Sequence, residues 1–98
     1  MSKAYIGDIG TAIEINTLID LSGASLMEYK VKKLDGTLVD WEVEIPAALT
    51  EEDGFLVHFT VDGDFDQVGK YLIQPHVVTA SSDHLGNTVE LQVYNAFQ

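Results

Sequence analysis

Ninety-eight residues with 46% apolar content are enough for one hydrophobic core in one domain, residues 1–98, and too apolar for a disordered chain. Sixteen acidic residues stand against five lysines and no arginine, a formal charge of −11, which argues against nucleic acid and against an anionic membrane as partners. The absence of cysteine excludes a disulfide framework, a thiol nucleophile and any cysteine-based metal site.

Period-two alternation predicts strands throughout, and no segment carries a helical period. Tyr5, Ile6 and Ile9 predict a short edge strand broken by Gly7 and Gly10. Ile13 and Ile15 alternate with Glu14 and Asn16 in the first clear strand. A turn-rich connection follows at residues 20–25. The next strand places Met27, Tyr29 and Val31 on one face and Glu28, Lys30 and Lys32 on the other.

Asp35 and Gly36 form the hairpin turn, because glycine accepts the positive φ such a turn requires. The return strand sets Val39, Trp41, Val43 and Ile45 against Asp40, Glu42 and Glu44. Opposite charges then face each other, with Lys30, Lys32 and Lys33 on one strand and the three acids on its partner. Pro46 ends the strand, since it has no N–H for a ladder.

Residues 47–53 read as a loop with one helical turn. The run from Phe55 to Val61 predicts a strand with Phe55, Val57, Phe59 and Val61 on its apolar face and His58 outward. Asp64 or Asp66 is a candidate cap for a short turn. The next strand runs from Lys70 to about Thr79, with Pro75 suggesting an edge or a bulge and His76 facing outward. Residues 80–87 read as a polar loop. The last strand aims Val89, Leu91 and Val93 inward and Thr88, Glu90 and Gln92 outward.

One apolar face per strand is the pattern of two packed antiparallel sheets. The fold class is therefore all-β: an immunoglobulin-like antiparallel sandwich of about seven strands. Its clearest marker is Asp66, Gly69 and Tyr71, an acid, a glycine and a tyrosine at the mouth of the penultimate strand. In such a corner the tyrosine ring packs inward and its hydroxyl bonds to nearby backbone.

No chemistry-bearing constellation stands out. Asp62, Asp64 and Asp66 begin like a calcium loop. Positions six and twelve should then be Gly and Glu, and they are Gln67 and Ile73. His58, His76 and His84 have no spacing that converges on zinc. Ser81, Ser82, Asp83 and His84 are sequence neighbours and cannot easily adopt triad geometry. Trp41 lies on an apolar face. A sugar-stacking role would need it outward and beside another aromatic. The reading is thus of a protein that is not an enzyme and carries no catalytic residue, cofactor or metal.

Several features together suggest a family. They are Tyr5 to Thr11 before the Ile13 strand, Lys32 to Thr37 followed by Trp41, Thr60 to Asp66, Gly69-Lys70-Tyr71, and Val89 to Tyr94. The set resembles the small immunoglobulin-like domains of tailed phages and prophages, above all the amino-terminal domain of baseplate upper proteins. That resemblance implies a non-catalytic virion module that binds other phage structural proteins, or copies of itself as a homo-oligomer. Its terminal stretches would make the contacts, with Tyr5, Tyr94 and Phe97 as partner-contact residues. The alternative is a carbohydrate-binding or adhesion sandwich. The start, residues 1–8, has no apolar h-region, so no signal peptide is expected. The expected setting is the virion, after synthesis in the host cytoplasm.

Overall fold

The computed structural model describes residues 4–97. Its strands are β1 (Ala4–Tyr5), β2 (Ala12–Asn16), β3 (Leu26–Lys32), β4 (Leu38–Glu42), β5 (Phe55–Phe59), β6 (Gly69–Val78), β7 (Asp83–Leu85) and β8 (Val89–Tyr94), with one 3-10 turn at Glu51–Asp53. The large sheet has the order β1-β8-β6-β3-β4, with β7 also on β6, and the small sheet is β2-β5. Pairing is antiparallel except between β1 and β8. The fold is an immunoglobulin-like antiparallel β-sandwich.

The core lies between the two sheets. The large sheet contributes Tyr29, Val31, Trp41, Tyr71, Ile73, Val77 and Val93, and the small sheet Ile13, Ile15 and Leu56. Each such side chain contributes about 1.5–3 kcal/mol by leaving water. Phe65 joins them from the β5–β6 connection. It packs edge-on to Tyr71 at 5.6 Å and to Trp41 at 5.9 Å, the tilted geometry that aromatic quadrupoles favour. The Tyr29 hydroxyl crosses the sandwich, within 2.8 Å of the Leu56 carbonyl and 3.0 Å of the Ile13 carbonyl. It therefore ties the centre of the large sheet to both strands of the small one.

The β3–β4 hairpin pairs Tyr29 with Trp41 and Lys30 with Asp40. Gly36, at φ +90°, closes its turn, and the Asp35 carboxylate accepts from the Thr37 N–H at 2.9 Å. The charge matching along this hairpin is much thinner than the sequence suggests. Only Lys30 faces an acid, at 3.8 Å from Asp40, while Lys32 faces Leu38 and Glu28 faces Glu42. Lys33 leaves the hairpin face altogether and is buried against Asp66 at 2.7 Å. The three-residue turn sets this register, and side-chain charge yields to it.

Strand β5 has the opposite parity to the sequence reading. Leu56 and His58, and Thr60 just past the strand, are buried, while Phe59 and Val61 are 49% and 56% exposed; of the expected apolar face, Val57 is buried and Phe55 half-buried. An apolar run of this length fits either face by hydrophobicity alone. Here the inward histidine is satisfied by hydrogen bonds, so its burial costs little.

Pro75 lies deep in the central strand β6 instead of at an edge. Two short strands, β8 and then β7, pair with the same side of β6, and Pro75 falls in the gap between them. No ladder bond is lost there. Gly86 spans the gap, donating its N–H to the Pro75 carbonyl at 2.9 Å. A β-carbon on Gly86 would stand 2.7 Å from the proline ring. The supposed polar loop at residues 80–87 thus contains β7.

Candidate functional site

A two-stranded sheet cannot cover a larger one, and the sandwich is open along one flank. The opening is an apolar slot of about 370 Å³. One wall is Thr11, Ala12, Ile13, Glu14 and Ile15, and the other is Val89, Glu90 and Leu91, with Ile73 and Ala4 inside. Consecutive residues alternate faces in a strand, so a wall of consecutive residues is a strand seen edge-on. The slot therefore runs between the outer edges of β2 and β8. Among the described residues, β2 pairs only with β5, and β1 covers β8 only at Val93 and Tyr94. Among the described residues, neither the β2 edge nor the Val89–Leu91 edge of β8 that faces the slot has a strand partner there, the feature that lets a sheet accept a further strand.

The chemistry-bearing side chains are occupied within the protein. His58 is buried and stacked on Trp41 at 4.6 Å, with Nδ1 2.6 Å from the Glu42 carbonyl and Nε2 2.7 Å from Asp64. His76 sits between two carboxylates on the outer face of the large sheet, 2.8 Å from Glu28 and 2.6 Å from Asp83. Those acids favour its charged form and raise its pKa, Glu28 first and Asp83 second, while the bond from His76 lowers that of Glu28. The two carboxylates hold opposite ring nitrogens and so cannot meet at one ion. Among the described residues no three His, Cys, Asp or Glu side chains are grouped to hold a metal.

The three acids of the calcium-like run diverge. Asp62 is exposed, Asp64 accepts from the Val61 N–H and pairs with His58, and Asp66 turns to Lys33 and Tyr71. At this corner Tyr71 is buried. Its hydroxyl accepts the Gln67 N–H at 3.2 Å and donates to Asp66 at 3.3 Å. Burial raises the Tyr71 pKa, and the Lys33 ammonium holds Asp66 below the usual carboxylate range. Gly69 adopts φ +127° with its α-carbon against Leu34, a place where a β-carbon would lie 2.5 Å from that side chain.

The Ser81–His84 set is dispersed. Ser82 bonds Thr79, Asp83 bonds His76, and His84 stands across from Val77. Of the terminal aromatics, Tyr5 and Tyr94 lie 6.4 Å apart beside the β1–β8 pair, and Phe97 is fully exposed. Trp41 is 4% exposed beneath His58, which removes the aromatic platform that a sugar-binding reading requires.

The sequence reading placed His58 outward because polar residues at alternating positions usually face water. Its inward position depends on Asp64, six residues away, and on a β4 carbonyl. Alternation carries no trace of either. The slot is likewise invisible in sequence, since it depends on which strand edges the described residues leave without a neighbour.

No family model matches this chain, and no curated protein matches it. It is similar in structure to CopC from Methylosinus trichosporium OB3b, with 14% identity and a TM-score of 0.59, over 100% of this chain and 89% of that one. At this identity the likeness is one of fold. It overturns the phage and prophage resemblance, and with it the virion, baseplate and phage-partner reading. The physical reason lies in the motifs themselves. Lys32 to Thr37, Trp41 and Gly69-Lys70-Tyr71 close a hairpin, fill a core and lock a corner, which any sandwich of this shape requires.

Proposed function

We propose that this chain is a non-catalytic binding module that takes up an extended polypeptide segment as an added strand. The observation that carries the reading is the apolar slot between the free edges of β2 and β8. Strand addition combines main-chain hydrogen bonds along an edge with apolar side chains seated below it. The internal bonding of His58 and His76 supports a binding role over a chemical one.

The test is a titration of the isotope-labelled protein with short peptides of alternating apolar and polar residues, followed by backbone amide shifts. Strand uptake moves the amides of Thr11–Ile15 and Val89–Leu91, and N-methylation at alternate peptide nitrogens removes the effect. Equal binding by the N-methylated peptides would sink the reading.

A further inference from the structure

The slot also constrains what fills it. We infer that its occupant is a strand from a different polypeptide, alternating apolar residues with lysine or arginine, and that it adds to β2. This rests on the strand-uptake reading and specifies the partner.

The choice of edge follows from coverage. A strand added to β8 would extend the large sheet further past the small one and leave its own inner side chains open to water. A strand added to β2 lies between the sheets. It covers Leu91, which is half-buried, and Val89, which is 38% exposed. β2 spans five residues, so an added strand of matching length aims about two or three side chains inward. The slot lining there is Ile13, Ile15, Ile73, Val89 and Leu91, which asks for apolar groups.

The outward positions meet a different surface. β2 shows Ala12, Glu14 and Asn16 to solvent. Glu14 makes no ion pair among the described residues, and Glu90 lies across the opening with its side chain 63% exposed. Among the described residues Glu90 pairs with Lys70, at 3.6 Å. A cationic residue opposite Glu14 gains about 0.2–1 kcal/mol as a cross-strand pair. The net charge of −11 draws such a segment in and repels an acidic one.

A second copy of this chain is a poor occupant. Two β2 strands paired antiparallel about their centres place Glu14 against Glu14, which is destabilising. The one stretch here that alternates apolar and basic residues, Tyr29 to Lys32, is already in the large sheet between β4 and β6.

The experiment uses capped peptides of about seven residues in three patterns: Val/Lys, Val/Glu and Ser/Lys. The Val/Lys peptide should bind saturably at Thr11–Ile15 and about three- to tenfold more tightly than either of the others. The margin over Val/Glu should shrink as salt rises. The exposed substitution Glu14→Lys should lower Val/Lys affinity and raise that of Val/Glu, and Val89→Arg should block both.

Equal binding of Val/Lys and Val/Glu, or a Glu14→Lys protein that does not change the order, overturns the partner chemistry and leaves strand uptake standing. Binding that appears only after residues 1–3 are removed overturns the claim of a separate partner. Silence at both edges with every peptide overturns strand uptake itself.

Discussion

Replacing Tyr29 by phenylalanine tests whether the two sheets are fastened as the geometry says. The ring is fully buried and stays in place, so the change removes one oxygen and nothing else. That oxygen lies 2.8 Å from the Leu56 carbonyl and 3.0 Å from that of Ile13. A typical intramolecular hydrogen bond contributes about 0.5–1.5 kcal/mol net, and a buried acceptor left without its partner costs about 1–3 kcal/mol. Both carbonyls lie in the β2–β5 ladder, which favours the lower part of that range. Tyr29→Phe should therefore lose about 1–2 kcal/mol. For a domain of this size that is a fall in Tm of roughly 5–15 °C. Tyr29→Ala, which also empties the ring volume, should lose about 3–5 kcal/mol.

Chemical denaturation of the three proteins, checked for a common m-value, measures this directly. A Tyr29→Phe protein within about 0.3 kcal/mol of the parent would refute the fastening role. Burial also pushes the Tyr29 ionisation well above the ordinary tyrosine range. An ultraviolet titration should accordingly show this tyrosine silent until the protein unfolds.

Trp41 is the single tryptophan, so its fluorescence reports one site. Emission should be blue-shifted and weakly quenched by acrylamide, with no response to sugars; strong quenching would contradict its burial beneath His58. The raised His76 pKa gives stability that is full below about pH 6.5 and is lost as pH rises through the higher folded value. The lowered Glu28 pKa gives stability present above about pH 4.5 and lost as pH falls through the lower folded value. The cluster thus contributes most between those limits, by at most about 1 kcal/mol given how exposed Asp83 is. Denaturation midpoints of parent and His76→Gln should converge above the folded His76 pKa, and a constant gap from pH 6 to 9 would disprove the assignment.

How far the sequence reached depends on the kind of signal. Strands with strict alternation, such as Ile13 with Ile15 or Tyr29 with Val31, gave both their existence and their inward face, because one register alone buries the apolar set. β5 did not, since its run of apolar residues is compatible with either face. The short β7 stayed hidden because its three residues owe their strand conformation to pairing with β6.

The sequence by itself determined an all-β chain that folds as a sandwich, with an Asp35-Gly36 hairpin and an acidic surface. Those follow from local periodicity, turn chemistry and composition, which each residue carries with it. Only the tertiary structure decided that His58 lies inside, that Lys33 turns to Asp66, and that, among the described residues, the β2 and β8 edges flank an apolar slot. These depend on residues far apart in the chain, and on which strand edges find no partner, and a linear pattern records neither.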